Sequence, residues 1–388
     1  MANLTTPTPF SSVEKGGLNA PLFPLSVPER GLRGAVFSFI VTLAFLGFAL
    51  PAFSQAPTQY EAISASPTAL STPIPKFKYL NDSDYAESFS FVADLEDGGF
   101  FQVQFALTNI GIGKRNGSIR VVYVDKAGKH TQEIIAVSSQ EQETLQNGIK
   151  FGESKLTLQG GKYFVSIMGK EMRATAEYTP YTPAFRPGNG RIYFGGKSKF
   201  YDMTALFVRG RVIGEAEFGG ETRRFKGFAT ADNTYSNQNP RNRDTRWFRM
   251  KKVREDPALL FTVLYPAQGA PVGWLVIANG NKLEALDLSP QPAYKDFIEA
   301  PESRFGYKIP TKVALKPEAI EDLKITAELK GVYFRQDVIG EMGGFVGFFV
   351  RQAVQPESYT LKYETDLVYK GVPRRSNALV EITFVTKE

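Results

Sequence analysis

From about Lys76 onward the chain alternates apolar and polar residues with a period of two, and glycine-rich turns interrupt the alternation at intervals of roughly 10–15 residues. Phe89, Phe91, Ala93 and Leu95 share one face of residues 88–95, Asp97-Gly98-Gly99 turns the chain, and Phe101, Val103 and Phe105 resume the pattern. Successive strand side chains point to opposite faces, so this period argues for strands rather than helices. Glycine supplies the positive φ that a tight hairpin turn needs. Further turns are expected at Asn116-Gly117, Lys126-Ala127-Gly128, Asn147-Gly148, Gly160-Gly161, Gly219-Gly220 and Asn279-Gly280, beside strand-like runs at 118–124, 163–167, 205–213 and 274–278. Strands joined by short turns pair antiparallel. Only residues 140–147 and 317–323 read as helical, and both are short. The pattern predicts an all-β protein of antiparallel barrels or sandwiches.

The residue balance agrees, with 31 Phe and 17 Tyr against 2 Trp, and with 35 Gly and 24 Pro to build turns. The length exceeds one small barrel, so two are expected, over residues 76–226 and 227–388. The join is placed near Lys226 because residues 230–244 are polar and rich in Asn and Arg. Ahead of the barrels, no charge occurs between Arg33 and Glu61, and residues 35–50 form an apolar run. Arg30 and Arg33 precede that run, and the small-x-small triplets Ala52-Phe53-Ser54 and Ser54-Gln55-Ala56 follow it. Residues 1–56 therefore read as an export signal or uncleaved anchor, delivering the protein to the periplasm or cell envelope, membrane-tethered if uncleaved. Residues 57–75, dominated by Ser, Thr, Pro and Ala, read as a disordered tether. The absence of cysteine excludes disulfides and a lipidated cysteine.

Several chemistries are excluded. The single histidine, His130, lies in an expected hairpin turn over residues 125–130, which argues against a Ser-His-Asp triad, and metal or haem sites need several such ligands together. No phosphate-cradling Gly-x-x-x-x-Gly-Lys motif is present, and Gly111-Ile112-Gly113 does not continue as a dinucleotide fingerprint. No metal or cofactor is expected, leaving carboxylate chemistry or binding. The stretch 241–254 carries Arg241, Arg243, Arg246, Arg249, Lys251, Lys252 and Arg254 with Trp247 and Phe248 interleaved. It reads first as a solvated or inter-domain salt-bridging face, next as a contact for an anionic membrane surface, and least as a nucleic-acid site. Nucleic acid is not expected as a partner, since a net charge of +6 is mild for 388 residues. Aromatic runs such as Phe345-Val346-Gly347-Phe348-Phe349 leave two readings open: a solidly packed core, or a cavity for an apolar ligand lined by barrel strands. On the second, the lining residues are Phe101, Phe105, Tyr201, Phe207, Tyr235, Trp247, Trp274 and Phe349.

The run 97–111, Asp-Gly-Gly-Phe-Phe-Gln-Val-Gln-Phe-Ala-Leu-Thr-Asn-Ile-Gly, resembles the first hairpin of the tandem lipocalin-like proteins. That family includes the carotenoid 1,2-hydratases, the AttH-type bacterial proteins and the fungal survival factor. Gly227 to Tyr235 resembles its Gly-rich strand ending in Asp-His plus an aromatic, and Arg246-Trp247-Phe248-Arg249-Met250 and Gly273-Trp274-Leu275-Val276 fit its second domain. The resemblance implies two packed calycin barrels with a hydrophobic ligand or substrate within or between them. In the hydratase branch an acid protonates an isolated double bond and water adds to the cation. Asp232 matches the family's Asp, but its His is replaced by Asn233, which has no titratable proton. Asp232 and Asn233 are thus candidate catalytic residues, against the alternative that they merely satisfy backbone amides at a strand end. The first expectation is an exported carrier of a lipid or isoprenoid-like ligand. The alternatives are a hydratase, cyclase or isomerase with Asp232 as proton donor, and a non-catalytic structural envelope protein.

Overall fold

The computed structural model of the chain describes residues 60–62, 68–110, 114–188, 190–194, 198–238, 246–265, 271–287, 292–315, 317, 320, 322–336 and 357–385. The apolar run 35–50 and Phe349 lie outside the described residues. Apart from the 3₁₀ turn Ser139–Glu141, every regular element among the described residues is a strand, and all pairings are antiparallel. The expectation of an all-β fold holds.

The strands form two large sheets. The first runs His130–Val137, Asn116–Val124, Phe100–Thr108, Ala86–Leu95, Glu221–Ser236, Lys199–Phe218, Met172–Pro180, Lys162–Met168, Ser154–Gln159, Gly148–Phe151, Gln142–Leu145. The second runs Lys282–Asp287, Val272–Asn279, Ala258–Tyr265, Arg246–Lys252, Val372–Phe384, Glu357–Tyr369, Leu323–Gln336, Lys308–Leu315, Pro292–Glu299. Both follow one plan: a four-stranded meander whose first strand pairs with the last strand of its own sheet. That pairing of first with last curls each sheet into a barrel. In the first sheet Asn116–Val124 comes up against Gly148–Phe151, so the barrel nearly closes.

Three local expectations change. The strand Glu221–Ser236 pairs on both sides within the first sheet, so the chain changes sheet between Ser236 and Arg246, and Lys226 lies inside a strand opposite Ile213. Residues 230–236 are polar but not a linker, because their side chains find cross-strand partners: Thr230 Oγ1 donates to the Phe207 carbonyl (2.9 Å), Ser236 Oγ to that of Phe200 (2.9 Å), and Thr234 Oγ1 meets Ser88 Oγ at 3.2 Å. Part of the expected tether is ordered, with Tyr60–Ala62 pairing with Arg191–Phe194 and Thr68–Leu70 with Ala184–Arg186. Backbone pairing asks nothing of side-chain polarity, which is why composition missed it. The helical signal at 140–147 is a real capping box, in which Glu141 Oε2 accepts from the Ser138 amide at 3.0 Å. It sustains only the Ser139–Glu141 turn before Gln142–Leu145 enters a hairpin. Leu323, expected to end the second helix, opens the strand Leu323–Gln336.

The interior of the first barrel is filled by aromatic rings in mutual contact. Phe91 lies 5.5 Å from Tyr163, 4.8 Å from Tyr178 and 6.3 Å from Phe207, centroid to centroid. Phe101 lies 4.5 Å from Phe225, and Phe105 6.0 Å from Phe151. Phe101, Phe105 and Phe207, expected to line a ligand cavity, are therefore core. The outer faces of the barrels pack on each other: Tyr201, Met203 and Ala205 meet Leu260, Trp274 and Val276, while Val92 and Phe100 meet Tyr333 and Phe334. Ion pairs seal this seam. Arg254 grips both oxygens of buried Asp94 (2.8 and 2.9 Å), and Arg209 reaches Asp256 at 2.6 Å. Of the basic stretch, Arg249, Lys251 and Lys252 are buried.

Truncating Phe91 to Ala opens a void that the surrounding rings cannot fill. The expected loss is about 3–5 kcal/mol of unfolding free energy by denaturant titration. A loss below about 1 kcal/mol would mean a loosely filled barrel with room for a guest.

Candidate functional site

The strand pleat decides which polar residues meet. On Glu221–Ser236, Ala229 and Ala231 belong to the barrel core, so Asn233 and Tyr235 face the same interior, toward one end, while Asp232 faces the second sheet. The adjacent pair Asp232 and Asn233 is thus split between two environments.

At the barrel end the segment 77–79 crosses the opening. Phe77 inserts against Phe89 and Phe151 (5.3 and 5.4 Å), and Tyr79 packs edge-on to Tyr85 at 5.6 Å. Lys78, between them, reaches the polar residues that replace the aromatic core here. Asn233 Nδ2 donates to Glu87 Oε1 (3.0 Å), and its Oδ1 accepts from Lys78 Nζ at 3.4 Å. Glu87 Oε2 accepts from the Tyr85 hydroxyl and from the Lys78 backbone amide, both at 2.8 Å. Asp202, fully buried, pairs with Arg191 Nε at 2.9 Å and lies 3.9 Å from Lys78 Nζ. Arg191 also donates to the Tyr235 hydroxyl (2.6 Å), the Lys78 ammonium sits 3.8 Å over the Tyr235 ring, and Arg186 Nε donates to Thr204 Oγ1 at 3.1 Å. The side chains of Lys78 and Arg191 are each 34% exposed, so this end opens to solvent, whereas Glu87 lies beneath at 2%.

Burial moves the two central groups in opposite directions. It raises the Glu87 carboxyl above the usual carboxylate range despite the three hydrogen bonds that it accepts. It lowers the Lys78 ammonium, with repulsion from Arg186 and Arg191 adding to burial and Asp202 and Glu87 opposing it. A carboxyl that holds its proton more tightly than usual, beside a solvent-reaching ammonium, is an arrangement found where protons are transferred.

The matching end of the second barrel provides an internal control. Register places Glu357 opposite Phe384, itself opposite Arg246, as Tyr201 is opposite Ser236 and then Ala86. Glu357 is buried like Glu87, and burial again works against its charge, yet its carboxyl is held below the usual range. The difference is its partners: Arg335 Nη2 at 2.5 Å, Ser303 Oγ at 2.7 Å, the Arg304 amide at 2.9 Å and the Tyr359 hydroxyl at 2.8 Å. Glu87 receives hydrogen bonds only from neutral groups, so burial wins.

A second polar cluster lies between the sheets. Arg249 donates to the Tyr201 hydroxyl (2.6 Å), stacks at 4.4 Å on Trp247 and stands 3.9 Å from Asp232 Oδ1. Lys251 pairs with Glu381 at 2.9 Å, and Tyr201 stacks on Trp274 at 6.4 Å. The residues expected to form one site therefore separate. Asn233 and Tyr235 lie at the barrel end, Asp232, Tyr201, Trp247 and Trp274 lie between the sheets, and Phe101, Phe105 and Phe207 are core. Sequence reasoning missed Glu87, Lys78, Asp202 and Arg191. Among the described residues no group of three His, Cys, Asp or Glu side chains converges to hold a metal, and His130 is an exposed strand start.

No family model and no curated protein sequence matches the chain. Solved structures do. An AttH-type protein from Nitrosomonas europaea aligns with a TM-score of 0.61 at 15% identity, over 84% of this chain and 100% of that one. Kievitone hydratase from Nectria haematococca aligns at 0.55 and 13%, over 82% and 93%, and CghA with Sch210972 at 0.60 and 9%, over 86% and 96%. The chain has the fold of the AttH and hydratase proteins. The resemblance read from the Asp97 hairpin and the Gly227 strand is thereby supported at the level of fold, with two lipocalin-like barrels in tandem.

Within this fold the two buried glutamates should behave oppositely. Replacing Glu357 with Gln strands Arg335 and should cost about 3 kcal/mol of stability. Its contribution is present above the unfolded pKa and disappears as pH falls through the lowered folded value. Replacing Glu87 with Gln should cost less than that, and the cost should shrink as pH rises, because ionising Glu87 weakens the fold as pH rises from the unfolded pKa through the raised folded one. Thermal unfolding of both variants across pH 4–8 checks the pair of signs, roughly a window set by carboxylate values.

Proposed function

We propose that the protein is an enzyme of the hydratase or cyclase type acting on a small molecule with an apolar body, at the end of the first barrel. The observation that carries this reading is the juxtaposition of buried Glu87 and solvent-reaching Lys78, bridged by the Asn233 amide. The similarity in fold to one hydratase, kievitone hydratase from Nectria haematococca, supports it. Protonated Glu87 gives its proton to a carbon of a substrate double bond, water adds to the resulting cation, and the proton that this water loses returns to the Glu87 carboxylate. The same proton, offered to a carbonyl oxygen, would promote ring closure. Asn233 holds Glu87 and Lys78 in place, a positioning role that needs an amide donor and acceptor and no titration. This moves the proton donor from Asp232, which faces Arg249 on the other side of the strand, to Glu87.

The carrier reading would require the ligand to lie outside the first barrel's ring-filled axis. It is separated from the enzyme reading by incubating the protein with a panel of prenylated phenols, polyenes and terpenoids. Mass spectrometry should find a product heavier by one water, or an isomer of the same mass. Turnover should fall at least about 100-fold in Glu87→Gln and stay within a few-fold in Asp232→Asn. A stoichiometric co-purifying lipid, retained by both variants and never converted, would make the protein a carrier instead.

A further inference from the structure

On the reading that the barrel end is the reaction site, we infer that its substrate carries an acidic oxygen, a phenol, enol or carboxyl group, bound as an anion by Lys78 and Arg186. Three cations, Lys78, Arg186 and Arg191, surround the two acids Glu87 and Asp202, so the cluster has one cation more than acids even when Glu87 is ionised. The neighbouring acids Asp82 and Asp84 share a single cation, Lys199, at 3.1 and 3.4 Å, so the cations left over are found from pairing inside the cluster and not from net charge over the wider barrel end.

Pairing shows which cations are left over. Arg191 is committed to Asp202 and Tyr235. Arg186 donates its Nε to a neutral hydroxyl, Thr204, and among the described residues no carboxylate stands within ion-pair distance of it. The Lys78 ammonium has three donors, yet makes one long hydrogen bond, to Asn233 at 3.4 Å, and stands 3.9 Å from Asp202 Oδ1 without bonding it. That buried Asp202 oxygen has no hydrogen-bond partner, so Lys78 is held between two acceptors and satisfies neither fully. Arg186 is half-buried and Lys78 one-third exposed, so both present their charge to an entering molecule from a partly desolvated wall. An oxyanion there takes up the donors that Arg186 and Lys78 leave unused, in charge-assisted hydrogen bonds of the stronger kind. A neutral hydrocarbon would leave the repulsion between Arg186 and Lys78 in place.

The test compares two fluorophores that share one naphthylamine body, anionic 8-anilinonaphthalene-1-sulfonate and neutral N-phenyl-1-naphthylamine, by fluorescence titration of the full chain. The sulfonate should bind at least about tenfold tighter than the neutral dye. Arg186→Gln should abolish that preference and Arg186→Lys should restore most of it, with far-UV circular dichroism unchanged in both. Equal affinity for the two dyes, or an unchanged preference in Arg186→Gln, overturns the inference. Glu87-dependent conversion of neutral substrates without any anion preference would overturn this inference alone and leave the enzyme reading standing.

Discussion

From Ala229 to Ser236 the strand Glu221–Ser236 is buried on both faces, one against the ring-filled core and the other against the second barrel, and the polar chemistry of the protein follows from that constraint. A polar side chain there cannot turn to bulk water. It must find a partner across the sheet seam or at the barrel end, because an unpaired buried polar group costs more than a hydrogen bond returns. Asp232 takes the first route, toward Arg249, and Asn233 the second, toward Glu87 and Lys78. Neighbouring residues end in unrelated environments because the pleat has a period of two.

The two barrels solve the same end problem differently. In the second, the crossing loop at Ser303 and Arg304, together with Arg335, surrounds Glu357 with charged and neutral donors until its carboxylate is held firmly. In the first, the crossing segment brings a lysine whose backbone amide bonds Glu87 while its ammonium bonds Asn233 instead. The guanidinium that could have neutralised Glu87 is engaged by Asp202 instead. A carboxyl left short of charge by this arrangement weakens the fold, and such stability is commonly given up where function needs a reactive group.

Much of the fold was legible in the sequence. The Phe89-to-Leu95 alternation, the Asp97-Gly98-Gly99 turn and the paired glycines named the hairpins, and Gly98 indeed adopts a positive φ of 94°. The site was only half legible. Asn233 was picked out by resemblance, but Glu87 is one polar residue in an alternating strand and lies 146 positions from its Asn233 partner, so no local spacing could reveal it. Lys78 was invisible for the same reason, at a separation of 155. The aromatic residues left core and cavity both open because inward alternation reports which way Phe101 or Phe207 points and says nothing about whether rings from other strands already fill the axis. The polar stretch after Thr230 misled because composition cannot distinguish a linker from a strand whose polar groups are satisfied across the sheet.

Proton donation at the barrel end requires Glu87 to hold its proton more tightly than an ordinary glutamate does. The direct measurement is a ¹³C NMR pH titration of protein labelled at the glutamate side-chain carboxyls. One resonance should titrate above the usual glutamate range and vanish in Glu87→Gln, while that of Glu357 titrates below it. A spectrum in which no glutamate titrates late, or in which the late one survives removal of Glu87, would contradict the account.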